Sequence, residues 1–421
     1  MGAFKKLFQT GFFHIFGSSV INKILTFLSN VVLVRLISKE AYGVFTYAWN
    51  IYSLVLLLNG LGVVSGLLQL CSERADDRAY YDDLCRFGAR VGLYADGALT
   101  VLLVLIGTLL PLSIPGGGRM IQTLCLLPPL QFIFEWMTIY LRGQRRNREY
   151  AALNTVNTLC VCVCSILGAV AAREYGLVWG KYLALLLTFV YAGCVLRFPL
   201  FRLLGRPGAI DRTDRVDLVK ISLLSMATNG LSQLLYLSDV FVLGIVDPNE
   251  TILASYKVAT TIPTALTFIP SAIAVYLYPY FARHNREKQW CIQHYKATLA
   301  AVGGLNAIIS GGLFLFAPLL IRILFGEIYL DAVPVFRVLA VSYFFSGTFR
   351  TIAGNLMTTQ RKLRFNFIVS AVSGPANILS NWFFIQWWGS MGAAATTLLI
   401  VLLTGFANTF YLFRCFGRLE D

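Results

Sequence analysis

The sequence predicts an all-α polytopic membrane protein, with about twelve transmembrane helices in two six-helix lobes around a central cavity. Three observations carry that expectation. Apolar runs of membrane-spanning length recur from end to end, basic residues cluster in every second connection, and the two halves repeat each other's turns.

The apolar runs set the class. Of 421 residues, 57% are hydrophobic and only 13% charged, and the mean hydropathy is +0.68. Soluble domains carry roughly 25% charged residues, whereas about twenty apolar residues suffice to cross a hydrocarbon core roughly 30 Å thick. Such runs lie near 12–34, 44–69, 89–110, 120–141, 151–172 and 177–196, and again near 218–246, 251–280, 295–319, 333–358, 365–387 and 391–413. A soluble core cannot bury that many helices that are apolar all round.

The net charge of +14 does not indicate nucleic acid, because the basic residues fall in short clusters between spans rather than on one domain. With a cytoplasmic N-terminus, Arg142, Arg145, Arg146 and Arg148, then Arg197, Arg202, Arg206, Arg212 and Arg215, then Arg361, Lys362 and Arg364 all fall inside. Outside connections hold only Arg35, Lys39, Arg119 and Arg173. That bias places both termini in the cytoplasm and requires an even number of spans. Met1–Leu7, with Lys5 and Lys6, runs straight into a full-length span without a small-residue cleavage site, so the first helix is expected to direct insertion.

The longest cytoplasmic connection, 197–217, divides the chain into an N-terminal lobe (1–196) and a C-terminal lobe (218–421). Gly143-Gln144-Arg145-Arg146-Asn147-Arg148 after the fourth span is echoed 216 residues on by Thr359-Gln360-Arg361-Lys362-Leu363-Arg364 after the tenth. Each is followed by a span and a glycine-bearing outer turn, Tyr175-Gly176 and Trp388-Gly389. Six spans per half give parallel repeats, the arrangement suited to alternating access around a central site.

Polar groups inside spans are costly and normally face a cavity or a partner. The first span carries Ser19, Asn22, Lys23, Thr26, Ser29 and Asn30 at helical spacing, and Lys23 lies too deep to reach the headgroups. The second contributes Thr46, Asn50 and Ser53. The seventh carries Ser222, Ser225, Asn229, Ser232, Gln233, Tyr236 and Asp239, and the eighth Lys257, Thr260, Thr261, Thr264, Thr267 and Ser271. Lys23 and Lys257 are therefore candidates to attract a phosphate or diphosphate, with Asn22, Asn30, Asn50, Asn229, Gln233 and Thr261 bonding sugar hydroxyls. Helix-to-helix hydrogen bonding is the competing use of the same side chains. Asp96, Glu135, Asp239 and Arg350 are the other deep charges. Arg35 and Asp239 lie toward the outer ends of their spans and are expected to pair across a gate. Glu135 lies two turns from Arg142, a local partner, and any of the carboxylates is a candidate to carry a coupling proton.

Other chemistry has little support. There is no P-loop, His/Glu metal motif, Ser nucleophile elbow or Cys/His pair. The outer loops are short, the longest running through Phe325–Asp331, which leaves no room for the outer catalytic loop of a glycan polymerase or ligase. Cys160, Cys162 and Cys164 alternate in one span, so successive sulfurs diverge by about 200° around a helix. They are expected to be buried filler. A small-molecule extruder on the same architecture would favour an acidic cavity for organic cations, and a purely structural membrane protein would not need polar stripes.

Four segments in order resemble a known family. Val34-Arg35-Leu36-Ile37-Ser38-Lys39-Glu40-Ala41-Tyr42-Gly43 is similar to its R-L-(two or three residues)-E-x-(Y/F)-G turn. Tyr278-Pro279-Tyr280-Phe281-Ala282-Arg283, then Leu324-Phe325-Gly326 with Tyr329 and Ala332, and the paired Gln-Arg loops complete the set. Over nearly its whole length the chain resembles the bacterial oligosaccharide flippases of polysaccharide biosynthesis, relatives of the multidrug and toxin extruders and of the lipid II flippase. The resemblance implies a non-enzymatic inner-membrane transporter whose partner is a polyprenyl-diphosphate-linked glycan, working among membrane lipids and other polysaccharide-assembly membrane proteins. It implies no cofactor, with H+ or Na+ as candidate coupling ions, and a cavity-lining role for the spans that carry Lys23 and Lys257.

Overall fold

The computed structural model describes residues 12–73, 78–205, 208, 210–360 and 363–419. Lys5, Lys6, Arg74, Arg206, Arg361 and Lys362 of the basic connections lie outside the described residues, as do the side chains of His14, Arg78, Ser232 and Tyr236. Secondary structure is helical throughout the described residues. Ten segments among them are long and apolar enough to cross a membrane. The chain is an all-α polytopic membrane protein.

It divides into two compact units, Met1–Gly230 and Leu231–Asp421. The first holds α1 (Phe12–Leu36), α2 (Lys39–Val55), α3 (Val63–Glu73), α4 (Arg78–Leu109), α5 (Gly117–Leu124), α6 (Leu127–Gly143), α7 (Asn147–Cys194) and the single turn α8 (Leu200–Leu203). Helix α9 (Arg212–Val246) runs through the boundary. The second unit continues with α10 (Glu250–Leu266), α11 (Phe268–Arg283), α12 (Lys288–Leu315), α13 (Ala317–Leu324), α14 (Val333–Phe345), α15 (Ile352–Thr359), α16 (Leu363–Trp388) and α17 (Ser390–Gly417). Helices α14 and α15 are joined without a break by a π-helical turn, Ser346–Thr351.

Local chemistry explains the joints. Ser38 caps α2 by accepting the Ala41 N–H at 3.3 Å, as a serine with extended backbone at a helix start should. Val34 and Ile37 beside it are buried, so this turn is an apolar joint between α1 and α2. In the second unit Phe325, Tyr329 and Ala332 are all buried, and Gly326 supplies φ +102° for the turn after α13. Phe281 packs into a core with Cys291, Tyr295, Leu356, Met357 and Phe416. The segments that carry the family resemblance therefore build joints and cores.

Helix α7 has 48 residues, which would run about 70 Å if straight. It is broken at Ala172 (φ −142°, ψ 32°) and Arg173 (φ 51°, ψ −133°). The two halves then fold back on one another. A Cβ on Gly176 would stand 1.9 Å from the Gly168 carbonyl oxygen, and one on Gly180 would stand 2.2 Å from that of Cys164. Only glycine permits that approach. The turn between α16 and α17 has the same form: Gly389 adopts φ 55° and ψ −137°, and a Cβ on Gly392 would stand 2.0 Å from the Phe384 oxygen. Gly389, Gly392 and Phe384 each lie 216 residues beyond Arg173, Gly176 and Gly168. The offset is that of the Gln-Arg turns, so the internal repeat is expressed in backbone geometry as well as in sequence.

The cysteines are free. Cys162 and Cys164 are buried, and the Cys162 thiol approaches the Leu25 carbonyl at 3.6 Å where α7 packs along α1.

Candidate functional site

In α1 the polar residues separate into two faces. Ser19, Lys23, Thr26 and Asn30 are exposed, at spacings of four, three and four, and so form one stripe. Ser29 is buried, and Asn22 is half-buried with its side-chain oxygen enclosed and without a partner. Lys23 therefore sits near the middle of an apolar span on an exposed face of its helix.

The second span is interrupted between α2 and α3. Asn59 takes φ −47° and ψ 123°, and Gly60, Leu61 and Gly62 follow at φ 52°, 50° and 73°. The broken turn is held by two predicted carboxylates. Asp96 on α4, wholly buried, accepts the Gly60 N–H on Oδ1 at 2.8 Å. Glu135 on α6 accepts from Asn59 Nδ2 at 2.9 Å and from Gln131 Nε2 at 3.1 Å. The expected local pairing of Glu135 with Arg142 is replaced by these two amide donors.

Asp239, near the C-terminal end of α9, is buried in a network of neutral groups within the second unit. Its Oδ1 accepts from Asn381 at 2.7 Å, and its Oδ2 accepts from the hydroxyls of Thr397 at 2.5 Å and Tyr256 at 3.0 Å. Asn377 Oδ1 in turn accepts from Asn381 at 2.8 Å and from Ser238 at 2.6 Å. One carboxylate thus ties α9 to α10, α16 and α17. Arg35, the residue expected to face it, is an exposed residue at the end of α1.

The remaining candidates are placed as follows. Lys257 is half-buried on α10, and its carbonyl accepts the hydroxyls of Thr260 and Thr261, each at 2.8 Å. Thr261 therefore spends its proton on its own helix. Asn229 and Gln233 are exposed on α9, Asn50 is buried on α2, and Arg350 is half-buried on the π-helical turn. Two features went unread in the sequence. Lys181, within the second half of α7, sets its ammonium 4.5 Å from the centre of the Trp49 ring, a cation–π contact. On α11 the exposed rings of Tyr276 and Tyr280 lie side by side, their hydroxyls 3.3 Å apart. The i, i+4 spacing was visible, but tyrosines at that spacing in an apolar span carry no signal of which way they face. Among the described residues, no group of three or more His, Cys, Asp or Glu could hold a metal.

Comparison with known proteins settles the family. Residues 32–334, well over half of the chain, match the family described as polysaccharide biosynthesis protein. The chain belongs to that family. No curated protein sequence matches it, but solved structures do. An inward-facing multidrug resistance MATE family transporter of the MOP superfamily superposes with a TM-score of 0.76 at 13% identity, over 94% of this chain and 95% of its own. The lipid II flippase MurJ in an inward closed conformation gives 0.72 at 12%, over 96% and 88%. A MOP superfamily transporter from Pyrococcus furiosus, described as having a binding pocket of reversed polarity, gives 0.64 at 12%, over 97% and 96%. This polysaccharide biosynthesis protein therefore has the MOP-superfamily fold.

Proposed function

We propose that this protein moves a polyprenyl-diphosphate-linked oligosaccharide from the inner to the outer leaflet by alternating access, without enzymatic chemistry. The observation that carries the proposal is Lys23, exposed at mid-span with Ser19, Thr26 and Asn30 along one face of α1. An uncovered ammonium at that depth calls for a wet cavity or an anionic partner, and a diphosphate bearing sugars supplies both a charge for Lys23 and hydroxyls for its neighbours. Lys257, the amides of Asn229 and Gln233, and the exposed Tyr276–Tyr280 pair add groups suited to the same cargo.

The family supports the pathway, and the fold supports transport. The polarity of the exposed faces favours an anionic glycan over the organic cation of an extruder. Asp96 and Asp239 are buried, whereas Lys23 is exposed. The segment Glu327–Ala332 is a six-residue 3-10 helix with Tyr329 buried, which is poor ground for a polymerase or ligase site.

The ten long apolar segments become twelve crossings when the halves of α7 count separately and α9 counts as one. On this reading the lobes are 1–196 and 218–421 joined by 197–217, and the basic connections between spans support both termini in the cytoplasm of a bacterial inner membrane. Asp239, Asp96 and Glu135 are the candidates for coupling to H+ or Na+, with Arg35 and Arg350 as gating charges, and other polysaccharide-assembly membrane proteins are the natural neighbours.

Lys23→Ala and Lys257→Ala should each lower surface glycan at least tenfold while leaving the amount of membrane-inserted protein unchanged, and Lys→Arg at either position should retain most export. Surface glycan and immunoblots of membranes measure this directly. Wild-type export from both alanine variants would remove the cationic cavity from the account.

A further inference from the structure

Two spans of the first unit begin at the same edge and leave a groove between them. Gly17 and Ile21 of α1 line one bank, and Arg148, Ala152 and Thr155 of α7 line the other. Further along both helices the Cys162 thiol reaches the Leu25 carbonyl, so α1 and α7 run side by side in the same direction. Small side chains at Gly17, Ala151 and Ala152 leave a cavity of about 790 Å³. Gly17 opens one apolar span, and Asn147, next to Arg148, opens the other. The groove therefore starts at the edge of the hydrocarbon layer, where headgroups lie.

It opens away from the polar stripe of α1. Gly17, Ile21, Ile24 and Leu28 follow at spacings of four, three and four, and the last three are exposed. Ile21 and Lys23 are two residues apart, which sets them about 200° from each other around the helix. On α7 the face of Arg148, Ala152 and Thr155 continues through the exposed Leu159 and Val163. From Thr155 to Val163 it rises about 12 Å, most of one leaflet's half of a hydrocarbon core roughly 30 Å thick. Charge enters at one end only. Arg148 is exposed, and the acid beside it, Glu149, is held by Arg146 Nε at 2.8 Å. Among the described residues no carboxylate pairs with Arg148.

The internal repeat provides a contrast. The positions 216 residues beyond Arg148, Ala151 and Ala152 hold Arg364, Phe367 and Ile368. The charge recurs, but large exposed side chains stand where the two alanines leave room. We infer that the groove between α1 and α7 binds one glycerophospholipid of net negative charge, its phosphate on Arg148 and an acyl chain along Ile21, Leu159 and Val163. Basic pockets between membrane helices at the surface recognise anionic headgroups. With Glu149 engaged, the groove offers no acid to the ammonium of a zwitterionic headgroup. Its opening on the side away from Lys23 favours a bilayer lipid over the glycan carrier. The site stands whether or not the transport reading does.

The test is native mass spectrometry of the purified, delipidated full chain in detergent, with phosphatidylglycerol and phosphatidylcholine of identical acyl chains in competition. The wild type should retain one phosphatidylglycerol with about fivefold preference, the factor expected of one basic side chain at an anionic headgroup. Arg148→Gln should hold the two lipids alike. Gly17→Leu should hold neither, because nothing lies within 4 Å of the Gly17 Cβ position and the new side chain enters the groove without a clash. A wild type that retains neither lipid, or both equally, overturns the proposal. So does a preference that survives Arg148→Gln, or retention that survives Gly17→Leu. Displacement of the phospholipid by equimolar polyprenyl phosphate overturns it as well, and assigns the groove to a prenyl carrier.

Discussion

Asp239→Ala should lower the thermal midpoint of the purified protein by several degrees and reduce surface glycan at least tenfold. The substitution removes the acceptor that Asn381, Thr397 and Tyr256 share. A buried donor left without a partner costs about 1–3 kcal/mol, and hydrogen bonds between membrane helices average about 0.6 kcal/mol because the unfolded helices also find partners. Three such losses at one point still amount to a few kcal/mol, and they fall on the junction of four helices. Asp239→Asn keeps the shape but accepts on one oxygen only, so its effect should be intermediate. An alanine variant that melts and exports like the wild type would show that this network does not hold the second unit together.

Gly392→Val should be more damaging to folding than to any particular step of transport. Its side chain would have to enter where the Phe384 carbonyl oxygen lies 2.0 Å from the Cβ position, and backbone cannot yield as a flexible side chain can. Overpacking of a core typically costs about 1–3 kcal/mol, and a clash with main chain belongs at or above the upper end. The turn between α16 and α17 should open, with loss of membrane-inserted protein and a low midpoint for what remains. Gly176→Val should behave alike, since its Cβ would meet the Gly168 oxygen at 1.9 Å. Gly311→Ala is the control, because nothing lies within 4 Å of its Cβ position, and it should be neutral or slightly stabilising. Equal stability of Gly392→Val and Gly311→Ala would mean that the hairpin is not packed as described.

The fold was legible because membrane helices announce themselves by length and apolarity. Even the turn inside α7 was visible, since Glu174-Tyr175-Gly176 separated two apolar runs, and its recurrence at Gly389 follows the offset already present in the Gln-Arg turns. The faces of α1 were half legible. Helical spacing grouped Lys23 with Ser19, Thr26 and Asn30, but it could not show that Ser29 turns inward while they do not. The carboxylates were legible only as charges in the wrong place. Which donors reach Asp96 depends on a break at Asn59–Gly62, and the Asn-Gly-Leu-Gly run in an apolar span gives no sign that Leu61 will take φ 50°. The network around Asp239 was hidden because a single sequence offers charges at a guessed depth and not the amides and hydroxyls of helices far along the chain. Lys181 stayed unread for the same reason, since Trp49, its partner, lies on another helix.

The claim that most needs a direct measurement is the identity of the cargo. The purified protein in vesicles, given a fluorescent polyprenyl-diphosphate oligosaccharide in both leaflets, should make the inner pool accessible to an impermeant reagent within minutes. Lys23→Ala and Lys257→Ala vesicles should leave that pool protected. Protection by the wild type equal to that of empty vesicles, together with uptake of an organic cation by the same preparation, would contradict the account and assign the chain to extrusion of small molecules.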